Sequence, residues 1–131
     1  MGKASRPEDA LQITVAGFLR QFARKNIIWF HPPNGGNRGL TEGKIFKAMG
    51  VLPGVADIVV VCPDKRVAFL ELKSAKGGLN ANQRLFRDRC EALDIRYAIA
   101  RTPEEATAVL WSWGAMTSNP LAHDAAERAR A

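Results

Sequence analysis

Val67-Ala68-Phe69-Leu70-Glu71-Leu72-Lys73 is the segment on which the reading of this chain turns. Residues alternate between the two faces of a strand, so Val67, Phe69, Glu71 and Lys73 share one side and Ala68, Leu70 and Leu72 the other. Two opposite charges therefore interrupt an apolar strand on the same face. They stand roughly 6.5 to 7 Å apart at about 3.3 Å per residue, room for a phosphate and an attacking water. By itself the pattern also describes a solvated strand face, where charges commonly alternate.

Upstream, Pro63-Asp64-Lys65-Arg66 is turn chemistry, and before it runs the apolar segment Ile58 to Cys62, so the two segments are expected to form an antiparallel hairpin. Its register decides what faces Glu71. Pairing in which residue numbers sum to 128 sets Asp57 opposite Glu71, and a sum of 130 sets it opposite Lys73. A sum of 129, from a tight two-residue turn at Asp64-Lys65, points Asp57 away. A site built on Asp57 thus requires an odd-length turn or a bulge.

If Asp57 and Glu71 converge, they form an all-oxygen seat suited to Mg²⁺ or Mn²⁺, with the Leu72 carbonyl between them in sequence as a further ligand. A metal there polarises a phosphodiester and acidifies its water, while Lys73 orients or deprotonates that water and offsets transition-state charge.

The remaining chain reads outward from this hairpin. Ser5-Arg6-Pro7-Glu8 is a capping box before a helix from Arg6 to Arg24, with Leu11, Val15, Phe18, Leu19 and Phe22 at helical spacing. A strand from Ile27 to Phe30 leads to the loop His31-Pro32-Pro33-Asn34-Gly35-Gly36-Asn37-Arg38, where proline and glycine exclude regular structure. A brief helix is expected over Thr41 to Met49, closed by Gly50. After Gly77-Gly78, Asn80 caps a helix carrying Leu85, Phe86, Cys90 and Leu93; Arg96 to Ala100 is a strand, and Thr102-Pro103-Glu104-Glu105 opens a last helix through Trp113. The order is α, β, α, β, β, α, β, α, and Trp111 and Trp113 are expected to pack. Beyond Gly114 the periodicity fades, and residues 115–131 are expected to be a weakly ordered tail or a partner contact.

Gly54-Val55-Ala56-Asp57, then Phe69-Leu70-Glu71-Leu72-Lys73, then Gly77-Gly78-Leu79-Asn80-Ala81-Asn82-Gln83, resembles the VRR-NUC branch of the PD-(D/E)XK nuclease superfamily. The resemblance spans roughly Glu8 to Trp113, and the Asn34 to Arg38 loop is similar to that of small stand-alone phage and bacterial members. It implies an α/β restriction-endonuclease-like fold with a mixed central sheet flanked by helices. It assigns metal binding to Asp57 and Glu71, catalysis to Lys73 and support of the site to Gln83. Ala56 departs from the family's proline, which removes no metal ligand. The family's helix-1 glutamate falls on Glu8, near the buried face of its helix, where it is placed to reach the metal directly or through water; Glu8 is also the N3 residue of a capping box, and Gln83 likewise is placed to cap its own helix. Gln12, one turn beyond Glu8, is placed either to support the same edge or, as expected first, at the surface.

Composition agrees with a polyanionic partner. Nineteen Lys and Arg against 13 Asp and Glu give a net charge of +6 and a pI near 9.8. Six of those bases fall between Arg20 and Lys47 and five between Lys73 and Arg89. DNA is the expected partner, gripped by Asn34, Asn37, Arg38, Lys44, Lys76 and Arg84; His31, bordering the loop, is expected to be structural, with substrate contact as its alternative. The resemblance implies a homodimer with one site per strand and cutting of branched DNA such as a four-way junction. Two other classes stay open: a DNA-binding module with structural acids, and a subunit that larger machinery targets. Cys62 and Cys90 sit in apolar patterns and read as buried thiols, which with the lack of a signal peptide or a membrane-length apolar run suggests a soluble cytoplasmic protein.

Overall fold

A computed structural model describes residues 7–33 and 40–122. Eight elements follow the expected order: α1 (Pro7–Phe22), β1 (Ile28–Phe30), α2 (Leu40–Ala48), β2 (Ile58–Val61), β3 (Val67–Leu72), α3 (Ala81–Ala92), β4 (Arg96–Ala100) and α4 (Pro103–Ser112). They build a four-stranded sheet in the order β1-β2-β3-β4. The first two pairings are antiparallel and β3/β4 is parallel. The parallel pair requires a crossover, and α3 supplies it.

The alternation along β3 divides the interior. Ala68, Leu70 and Leu72 pack into the main core with Leu11, Val15 and Leu19 of α1 and Leu110 of α4. Phe69, on the opposite face, meets Phe86 of α3 edge to face at 4.8 Å in a smaller cluster with Ala56, Cys90 and Tyr97. Helices α1 and α4 therefore cover one side of the sheet and α3 the other.

The hairpin register is Ile58↔Leu70, Val59↔Phe69, Val60↔Ala68 and Val61↔Val67, the 128 pairing. The turn explains it. Cys62 N–H donates to the Arg66 carbonyl at 2.8 Å and the Cys62 carbonyl accepts from Lys65 N–H at 2.9 Å, leaving a three-residue loop, Pro63-Asp64-Lys65. Lys65 takes the left-handed conformation such a loop needs, at φ +69°. Asp64 accepts from Arg66 N–H and from both terminal nitrogens of Arg96, which ties the turn to β4.

Three expectations are corrected. The region after Gly114 is not loose at its start: Ala115 and Met116 are fully buried, Arg24 N–H donates to the Ala115 carbonyl, and Thr117 N–H donates to the Phe22 carbonyl. Ala23 forms a β-bridge with Met116, so α1 stops at Phe22 rather than Arg24. Trp111 stands 45% exposed, while Trp113 packs against the core. Ser5, Arg6 and the cap they would form lie outside the described residues. Cys62 and Cys90 are free buried thiols. No helix among the described residues is long and apolar enough to cross a membrane.

Candidate metal centre

Gly54 fixes the approach to the site. Its φ is +83°, and a Cβ there would lie 2.4 Å from the backbone oxygen of Asn82, so only glycine lets this segment run against the first turn of α3. Val55 and the buried Ala56 then pack under α3, and Asp57 emerges one residue before β2. Continuing the 128 pairing by one step brings Asp57 beside Glu71.

Asp57 is held at both ends. Its Oδ2 accepts from Leu72 N–H at 2.7 Å, and its carbonyl lies 2.6 Å from His31 Nδ1, which must be the donor because a carbonyl can only accept. Lys73 N–H donates to the Ala100 carbonyl, so in the parallel ladder Ala100 flanks Leu72 while Leu72's own N–H and C=O face the β2 side. The N–H is found there on Asp57, and the carbonyl shares that edge.

Glu71 is 1% exposed, and its Oε2 has no hydrogen-bond partner among the described residues. Burial is the main cause that pushes its carboxyl well above the usual range; the hydrogen bond and charge of Asp57 add to this, and the Lys73 cation opposes it. Burial first, then the charge of Glu71, likewise raises Tyr97, whose hydroxyl is also buried without a partner among the described residues.

Lys73 is 8% exposed. Its Nζ donates to Gln83 Oε1 at 2.9 Å and lies 3.8 Å from Glu8 Oε1. The same Gln83 oxygen accepts from Asn80 N–H at 2.9 Å, and Gln83 N–H donates to Asn80 Oδ1. The two readings of Gln83 are thus one arrangement: a carbonyl oxygen with two lone pairs closes the capping box and holds the lysine. Glu8 lies against that lysine. No three His, Cys, Asp or Glu side chains among the described residues group closely enough to hold a metal. Asp57, Glu71 and the Leu72 carbonyl would make a hard oxygen set of the kind a largely hydrated Mg²⁺ or Mn²⁺ takes. The partnerless buried Glu71 oxygen fits such an ion.

A polar cleft of about 400 Å³ opens beside Asp57 between His31, Pro53, Gly54, Asn80, Asn82 and Gln83. Lys44 and Lys76 are exposed, and Arg84 is engaged with the Leu79 carbonyl at 2.6 Å. Asn34, Asn37 and Arg38 lie outside the described residues. Gln12 is half-buried with its Oε1 enclosed and partnerless among the described residues, against the surface place expected for it. Arg101 escaped the sequence reading because it precedes a helix cap and looks like an exposed flank. Its Nη1 donates to the carbonyls of Ser74 and Gly77, in the segment just after Lys73.

The mixed sheet with α1 and α4 on one face and α3 on the other is the restriction-endonuclease-like α/β fold. The solved structure of a VRR_NUC domain protein is similar to this chain with a TM-score of 0.67 at 18% sequence identity, covering 85% of this chain and 90% of that one. No family model and no curated protein matches the sequence.

Proposed function

We propose that the chain is a Mg²⁺- or Mn²⁺-dependent deoxyribonuclease that hydrolyses phosphodiester bonds. One observation carries the reading: Glu71, buried beside Asp57, has a carboxylate oxygen without a partner among the described residues, at the strand end that also holds a tethered lysine. An unsatisfied buried carboxylate is costly, and a cation is the natural complement. In a DNA-binding module whose acids were structural, that oxygen would be expected to find a donor. The VRR_NUC domain of the fold neighbour supports the same reading.

Asp57, Glu71 and the Leu72 carbonyl would hold the ion. When bound, it supplies Lewis acidity toward the scissile phosphate and lowers the pKa of its water. The chain's own contribution is orientation. Asp57 is fixed through Leu72 N–H and His31, so the first carboxylate is positioned before substrate arrives. Lys73, hydrogen-bonded to Gln83 and ion-paired with Glu8, would present Nζ to orient the attacking water and offset charge in the transition state. Lys44, Lys76 and Arg84, with Asn34, Asn37 and Arg38, are the proposed grip on the DNA backbone. A homodimer would offer one site to each strand, which suits branched substrates such as four-way junctions.

The test is cleavage of linear, flapped and four-way-junction DNA with Mg²⁺, Mn²⁺ or chelator. Wild type should cut only with metal, and Asp57→Ala should lose at least about 100-fold in rate while still binding DNA. Cleavage that persists in chelator, or in Asp57→Ala, removes the mechanism.

A further inference from the structure

Between Lys73 and the helix that holds its Nζ runs Ser74-Ala75-Lys76-Gly77-Gly78-Leu79-Asn80, with no large side chain in the core and two adjacent glycines. Such a segment has high backbone entropy, and left to itself would set no fixed distance between its ends. Yet the Lys73–Gln83 bond at 2.9 Å requires one.

We infer that Arg101 is a positioning residue for the Lys73 side chain, acting by fixing the segment that joins Lys73 to Gln83. The inference rests on the nuclease reading above for its effect on rate. Arg101 Nη1 donates to the Ser74 carbonyl at 2.7 Å and to the Gly77 carbonyl at 2.6 Å, both part-buried. Charge-assisted bonds of this length are stronger than neutral ones. They span a turn in which Gly77 N–H also donates to the Ser74 carbonyl at 3.1 Å.

The arginine is itself rooted next to the lysine. Ala100, the preceding residue, accepts from Lys73 N–H at 3.0 Å, and Arg101 N–H donates to Glu105 Oε1 at 3.1 Å. Arg101 therefore measures the segment from the same strand end that carries Lys73. At the far end Arg84 holds the Leu79 carbonyl, one residue before the Asn80 cap. The clamped turn also lies close to the start of α1. A Cβ on Gly77 would lie 2.8 Å from Ser74 Oγ and 3.3 Å from Glu8 Oε1, so the carboxylate paired with Lys73 lies close to the clamped backbone. Releasing Arg101 frees both partners of the lysine without touching either.

The experiment compares Arg101→Ala, Arg101→Gln and Arg101→Lys in steady-state DNA cleavage at saturating Mn²⁺, with thermal melts and hydrogen exchange at the Gly77 amide. Arg101→Ala should lower kcat about 10- to 100-fold, leave KM within about threefold, melt cooperatively and lose about tenfold of Gly77 protection. Arg101→Lys should recover most of both losses, because an ammonium can still donate to two carbonyls. Unchanged kcat overturns the inference, as does an effect confined to KM, which would make Arg101 a DNA contact. It also fails if the lysine variant is no better than alanine. If Arg101→Ala does not fold, Arg101→Gln takes its place against Arg101→Lys under the same criteria. A wild type that does not cleave overturns the nuclease reading itself, and Gly77 exchange then decides alone whether Arg101 holds the segment.

Discussion

Glu71 is the residue at which stability and chemistry pull in opposite directions. Its burial, with Asp57 alongside, raises its pKa from the ordinary 4.5 to about 9. Between those two values the folded protein retains a proton that the unfolded chain has released, so the native state binds more protons and its stability falls as pH rises. In chelator, the melting temperature should therefore decline from about pH 5 to pH 9, by roughly 5 °C or more. Glu71→Gln, neutral throughout, should flatten most of that slope and melt higher at alkaline pH. A divalent cation should restore stability to wild type most strongly at the alkaline end, where the ligand has lost its proton, and leave Glu71→Gln nearly unmoved. Scanning calorimetry across this range, with and without Mn²⁺, measures each part. An unchanged slope in Glu71→Gln would assign the pH dependence to other groups and rule out a raised Glu71 pKa as its origin.

At the scale of elements, the β2–β3 hairpin shows how far local pattern reaches. Alternation in β3 and the Pro-Asp-Lys-Arg turn were legible in the sequence, but three registers remained open because that turn can close around two residues or three. The choice was made by Lys65 entering the left-handed region, which a lysine does not advertise. Gln83 was ambiguous for a different reason: a cap and a side-chain partner look like rival roles until one oxygen is seen serving both. Arg101 was invisible because its role depends on chain segments distant in sequence, and for the same reason the inward turn of Gln12 stayed one of two places open to it. Gly54 and Gly50 permit a sharper test. Both have positive φ, but a Cβ on Gly50 meets nothing within 4 Å, whereas on Gly54 it meets the backbone of α3. Gly50→Ala should cost about 1 kcal/mol, the strain of the left-handed conformation alone. Gly54→Ala adds a clash with unyielding backbone and should cost about 3 kcal/mol or more, with cleavage reduced beyond what the lost stability explains. Urea unfolding of both variants beside wild type measures the difference, and equal losses would mean that α3 yields at little cost.

For the whole molecule, the site is assembled where β3 ends, Asp57 enters β2, and α1 and α3 begin, so its geometry depends on how both helical layers are tied to the sheet. The layer containing α1 is closed from an unexpected direction. Ala115, Met116 and Thr117 bind the end of α1 through Arg24, Ala23 and Phe22, and the same helix brings Glu8 to Lys73 at its start. The folded unit thus runs through Thr117, three residues beyond the point at which helical periodicity stops, and no periodic signal marks so short a bridge. A chain ending at Gly114 exposes the pocket that Met116 fills and loses the backbone bonds that Ala115 and Thr117 make. Met116→Ala alone should cost about 2 to 4 kcal/mol, and the truncation more, leaving it largely unfolded at 37 °C. A chain ending at Ala122 keeps every one of these contacts and should melt within about 2 °C of the full chain. Melts and cleavage assays on both truncations then separate two roles for residues 123–131. Full activity in the Ala122 chain marks a stand-alone enzyme, whereas a folded Ala122 chain that no longer cuts DNA assigns the removed residues to substrate delivery or docking.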